Sequence, residues 1–156
     1  MELGPLRLPG MTEPAEVRQF DFWIGDWDVY LLSDGTLAGT NRVEPVIGGR
    51  AIAEHWSGVT GVLGTSLNAW DPDRHCWHQT WMDTSGATLM LDGGMRDGVM
   101  VMTGSAADPE DPSTVQHHRI TWRPVTPDEV HQQWETSADG GETWKVEFLG
   151  SYRRKG

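Results

Sequence analysis

Two stretches decide the fold of this chain: His117-His118-Arg119-Ile120-Thr121-Trp122-Arg123 and, after a proline-bearing gap, Glu129-Val130-His131-Gln132-Gln133-Trp134-Glu135-Thr136. In each, side chains alternate with period two, the repeat of a β-strand that turns one face to a core and the other to water. His118, Ile120 and Trp122 share one face against His117, Arg119, Thr121 and Arg123; Val130, Gln132 and Trp134 oppose Glu129, His131, Gln133 and Glu135. The same period runs through the rest of the chain from Gly25 onward. It gives Trp27 and Val29, then Ile52, Glu54 and Trp56, then Trp77, Gln79 and Trp81, and finally Trp144, Val146, Phe148 and Tyr152 as inward sets. About ten strands are expected, separated by turn signals such as Ser33-Asp34-Gly35, Thr84-Ser85-Gly86 and Arg96-Asp97-Gly98.

Connections this short make consecutive strands neighbours, and a meander in one small domain removes its exposed edges most simply by closing on itself. The expected fold is all-β, an antiparallel barrel of eight to ten strands with a short N-terminal helix. With 156 residues the chain has one domain's worth of core. Residues 1–11, with Pro5 and Pro9, read as a lead-in, and 12–156 as the barrel domain. Thr12, Glu13, Pro14 and Glu16 have the form of a helix N-terminus. Residues 104–116, rich in Asp, Pro, Ser and Ala, read as a long mobile loop beside a cavity mouth.

Composition narrows the function. Asp and Glu outnumber Lys and Arg by 23 to 12, a formal charge of −11, which disfavours nucleic acid and anionic membranes as partners. One cysteine, Cys76, rules out an internal disulfide framework and suits the cytoplasm. No apolar run approaches the length of a membrane helix. Nine Trp against two Tyr and three Phe give an interior lined by indole, yet the inward faces also hold Glu54, Gln79, His118 and Gln132. Polar groups are costly to bury without partners. Amphipathic walls with a few convergent polar groups are those of a ligand cavity. The candidate site is therefore Trp56, Gln79, Trp81, Trp122, Gln132 and Trp134 as contacts, with Glu54 and His118 as an acid-base pair. Each polar member also has a structural reading, as a core group bonded to a neighbour.

Gly25-Asp26-Trp27, after a short helix and at the head of the first strand, resembles the Gly-x-Trp signature of lipocalin and calycin barrels. The resemblance implies that Trp27 closes one end of the barrel and that Arg153 or Arg154 lies over its indole. The wider pattern, Phe20-Asp-Phe-Trp-Ile-Gly-Asp-Trp-Asp with Ser137 to Trp144, is similar to a bacterial family of small calycin-like proteins of uncharacterised function. It implies a central cavity and no particular reaction. Nitrobindin haem proteins are similar as well, but no His follows His131 to serve as their proximal ligand, and no haem is expected. Nor does the chain carry a phosphate-cradling Gly loop, a nucleophile elbow or a zinc-protease motif, so no cofactor is expected.

Ser137-Ala-Asp139-Gly-Gly141-Glu-Thr-Trp144 fits the Asp-box pattern, which specifies a hairpin. His75 and His78 flank Cys76, but alternation turns His78 outward and places no carboxylate near it, so no metal is expected. Two functions remain: binding of a small apolar or aromatic molecule in the Trp-lined cavity, or a cofactor-independent isomerase, lyase or cyclase using Glu54 and His118 in that cavity. A second copy of the chain, in a homodimer, is left open.

Overall fold

The computed structural model describes residues 13–156; the lead-in at 1–11 and the Thr12 cap lie outside them. Ten strands form one closed antiparallel barrel in sequence order: β1 (Gly25–Leu31), β2 (Leu37–Val46), β3 (Ala51–Gly58), β4 (Leu63–Asp71), β5 (Cys76–Asp83), β6 (Thr88–Arg96), β7 (Val99–Ala107), β8 (Val115–Thr126), β9 (Glu129–Ser137) and β10 (Lys145–Arg154). Closure is made by β1 against β10, with Trp27 opposite Arg154 and Val29 opposite Tyr152. No backbone edge is left to pair with another chain. The expected helix is two 3-10 turns, Ala15–Arg18 and Asp21–Trp23. No described helix is long and apolar enough to cross a membrane.

The two 3-10 turns plug one end of the barrel. Phe20 stacks on Trp23 at 4.8 Å and meets Trp77 and Trp122 edge-on at 5.6 and 5.2 Å; none of these rings is more than 1% exposed. The Trp27 indole N–H donates to the Trp23 carbonyl at 2.8 Å, and the Arg154 guanidinium lies 4.3 Å above the Trp27 ring. Arg154 also donates to the Ile24 and Pro127 carbonyls at 2.8 and 3.1 Å. Gly25 is required here, because a Cβ at its position would overlap that guanidinium. The clasp implied by Gly25-Asp26-Trp27 is thus made by Arg154, while Arg153 lies over Tyr30 at 5.0 Å.

Two expectations are corrected. Residues 104–116 do not form a long loop: Gly104–Ala107 pair with Val115–His118 in the β7–β8 ladder, and only the tip remains, closed by Asp108 N–H to Thr114 O at 3.0 Å. The pairing partners are small or polar, and so carried no apolar period. In β10 a bulge between Val146 and Phe148 breaks the alternation, so Phe148 and Tyr152 stay inward while Val146 turns outward beside Glu135 and is 48% exposed. Trp144 precedes the strand, in the hairpin turn.

Candidate functional site

Odd strands rise from the plugged end and even strands return to it, so cross-strand pairing sorts the inward residues into layers. The plugged layer holds Trp27, Trp77, Met100 and Trp122. The middle layer holds Asn41, Glu54, Ser66, Asn68 and Gln79. The opposite end carries Trp56, Trp81, His118, Trp134 and Phe148.

Register explains the middle layer. Glu54 on β3 faces Ser66 on β4, and Asn68 faces Gln79 on β5, all on the inward face. Gln79 Nε2 donates to Asn68 Oδ1 at 2.7 Å, Asn68 Nδ2 to Ser66 Oγ at 2.9 Å, and the Ser66 hydroxyl to Glu54 Oε1 at 2.6 Å. From the other side Asn41 Nδ2 donates to Glu54 Oε2 at 2.7 Å and to the Tyr152 hydroxyl oxygen at 3.0 Å. The whole chain donates toward Glu54, whose two oxygens accept from both ends. Burial pushes the Glu54 carboxyl above the usual carboxylate range, against the hydrogen bonds from Ser66 and Asn41, which act the other way. Tyr152 is raised well above an ordinary phenol by burial and by the neighbouring Glu54. The Asn41 Oδ1 atom is buried without a donor.

His118 belongs to a different group. The Trp134 indole N–H donates to its Nδ1 at 3.0 Å and the two rings stack at 5.8 Å with 15° between planes. Accepting at Nδ1 leaves the proton of the neutral ring on Nε2. Burial holds the His118 pKa below its ordinary value, opposed by Glu147 and assisted by His117. Glu54 and His118 both face inward, as the strand parity requires, but they are bonded to different partners and share no hydrogen bond.

The layer at the unplugged end is built on glycines. A Cβ at Gly64 would overlap the Trp81 ring, one at Gly39 would fall 2.8 Å from the Trp56 ring, and one at Gly150 would fall 2.6 Å from Phe148. Trp81 leans along the wall into such a space, while Trp56, over Gly39, and Phe148, over Gly150, meet edge-on at 6.2 Å from strands β3 and β10. Trp56, Trp81, Trp134 and Phe148 point inward and are nevertheless part-exposed, as is Gln132 below them. Of the predicted contacts, Trp56, Trp81, Gln132 and Trp134 face inward and are part-exposed, Gln79 is buried in the polar chain, and Trp122 is packed in the plugged core.

A depression of about 280 Å³ lies on the outer side of the sheet, where Thr103, Ser105 and His117 turn outward beneath the Gly140–Trp144 hairpin; it reaches His118 but none of the predicted contact residues. A larger groove of about 510 Å³ lies at the plugged end around Phe22, Pro124–Pro127 and Arg154, away from every predicted residue. We place the candidate site at the unplugged end because His118 and the part-exposed aromatic rings gather there, above the polar chain. The Asp-box hairpin beside it is self-contained: Ser137 Oγ donates to Asp139 at 2.7 Å, Asp139 accepts from the Thr143 amide at 2.9 Å, and Arg119 covers Trp144 at 4.1 Å.

Sequence reasoning missed Asn41, Ser66 and Asn68, whose signal was present as alternation with Val43 and Trp70 but needed the cross-strand register to give it meaning. It also placed no carboxylate near His78. The β5–β6 register does so: His78 Nδ1 lies 2.9 Å from Asp92 and its Nε2 2.8 Å from the Thr80 hydroxyl, on the outer face. Asp92 is shared there with Arg74 at 2.9 Å. Among the described residues no group of three or more His, Cys, Asp or Glu is gathered as metal ligands.

The closed antiparallel meander fits a calycin-like fold. No protein-family model matches the chain, and no curated protein matches it.

Proposed function

We propose that the unplugged end of the barrel binds a small apolar or aromatic molecule, as the lumen of a lipocalin-like protein would. One observation carries this reading: inward-facing Trp56, Trp81, Trp134 and Phe148 are part-exposed, so apolar ring surface remains for a ligand to cover. Stiff indole rings give a ligand contact area at little entropic cost. Trp81 lies over Gly64, and Trp56 and Phe148, meeting edge-on at 6.2 Å, form one corner of that surface. The Glu54 chain beneath supplies polar groups with fixed direction, which would orient a ligand that reaches down to them.

The test is a titration with N-phenylnaphthylamine, an uncharged aromatic probe that accepts energy from Trp. The expected result is a saturable signal in the wild type, about tenfold weaker in Trp134→Ala, since a buried aromatic contact is worth on the order of 1.5 kcal/mol. A linear, unsaturable signal contradicts the proposal.

The catalytic alternative rests on Glu54, a carboxyl whose affinity for its proton is raised by burial. With Glu54 and His118 bonded to different partners, a substrate would have to span them, one acting at each end. Glu54→Gln distinguishes the readings: it lowers affinity in a binding protein, and in an enzyme leaves binding nearly intact while removing roughly two to four orders of magnitude of rate.

A further inference from the structure

The mouth presents π-faces and carboxylates to a ligand. The Trp81 indole N–H is spent on Asp83 Oδ2 at 3.0 Å and that of Trp134 on His118 Nδ1 at 3.0 Å. What these two rings have left to offer is their faces, whose quadrupole is negative and attracts cations. The titratable groups around them are Asp83 at the head of β5, Glu54 below, and Glu147, which accepts from Thr136 at 2.8 Å. Burial works against ionisation of Asp83, but hydrogen bonds from Ser85, the Trp81 indole and the Ser85 and Ala87 backbone outweigh it and hold its carboxyl below the usual range. Of the described cations, Arg154 is committed to the plug, and Lys145, opposite Thr136 at the mouth, lies 3.7 Å from Glu147 and offsets that carboxylate, leaving Asp83 as the mouth's unopposed charge. Burial moves His118 away from its charged form, with Glu147 acting the other way. A second observation asks for a donor: Asn41, paired with Trp56 and 2% exposed, has its Oδ1 without a partner.

Resting on the binding function proposed above, we infer that the mouth selects organic cations, an ammonium head on an aromatic or apolar body, over neutral molecules of the same shape and over anions. The head would lie against the faces of Trp81, Trp134 and Trp56, with Asp83 as its counter-charge. An ammonium N–H, where the ligand has one, would reach Asn41 Oδ1. An anion would meet Asp83 and would have to compete with Glu147 for Lys145.

Three probes of nearly one shape test this: benzyltrimethylammonium, its uncharged isostere neopentylbenzene, and phenylmethanesulfonate, each titrated against Trp fluorescence with calorimetry as a second readout. The expected order is cation first by about tenfold over the neutral isostere, the range of a partly desolvated cation-π contact, with no saturable binding of the anion. Asp83→Asn, checked for an unchanged circular dichroism spectrum, should lower cation affinity several-fold and leave the neutral probe unchanged. A neutral probe that binds as tightly as the cation, an anion that competes with it, or an Asp83→Asn variant that weakens both probes equally overturns the inference while the binding proposal stands. If neither these probes nor N-phenylnaphthylamine bind, both fall.

Discussion

Glu54 shows what a single residue in this barrel has to satisfy. A carboxyl among Ile52, Trp56 and Val43 is tolerated because Ser66 and Asn41 each donate to it. Removing it strands both donors in a buried site, so Glu54→Ala should destabilise the fold by about 3 kcal/mol in urea unfolding. Its pH signature has a definite sign. The folded state holds the Glu54 proton to higher pH than the unfolded chain does, so the associated stability is full below the unfolded value of 4.5 and is lost as pH rises through the folded pKa. His118 acts on the other side. Its folded pKa is depressed, so its contribution is present above the unfolded value of 6.5 and is lost as pH falls through the folded pKa. Stability measured against pH should therefore lose its alkaline-side decline in Glu54→Gln and part of its acid-side decline in His118→Gln. Profiles parallel to wild type would show that neither group titrates differently on folding.

Among the elements, strands with a plain period of two were legible and interrupted ones were not. β8 and β9 gave His118, Ile120, Trp122, Val130, Gln132 and Trp134 as inward, because one face of each carries Trp while the other carries charge; Thr136, buried opposite His118, was not legible there. β10 did not, since a bulge is one extra residue and leaves no mark in composition; Val146 looks as inward as Phe148 until pairing is known. Turns were legible where side chains hold them. In the Asp-box hairpin, hydrogen bonds from Thr143 and Ser137 hold the Asp139 carboxyl well below the usual range. Asp139→Ala should speed hydrogen exchange of the Thr143 amide without altering ligand affinity, because the hairpin bonds within itself. The glycines at the mouth act differently. Gly64→Val would put side-chain atoms where the Trp81 ring lies. The ring must then swing into the lumen, and probe affinity should drop severalfold with the β-sheet spectrum retained. Unchanged affinity would mean that Trp81 leaves the site untouched.

For the whole molecule, the division of labour runs along the barrel axis. One end is a stacked aromatic plug fastened by Arg154; the middle is a polar chain ending at Glu54; the other end carries the part-exposed rings of Trp56, Trp81, Trp134 and Phe148. The closed barrel was legible from strand count and short connections, and the clasp from Gly25-Asp26-Trp27. Which Trp line the lumen and which fill the plug was not. Trp122 and Trp134 have the same parity on adjacent strands, and only their height along the barrel, set by register, separates core from site. The nine indole N–H groups report this separation directly. In a nitrogen-15 correlation spectrum, a saturating aromatic ligand should shift the indole signals of Trp56, Trp81 and Trp134 while those of Trp23, Trp27, Trp77 and Trp122 stay in place. Shifts confined to Trp144 or to the plug tryptophans, or none at all, would contradict a binding site at the unplugged end of the barrel.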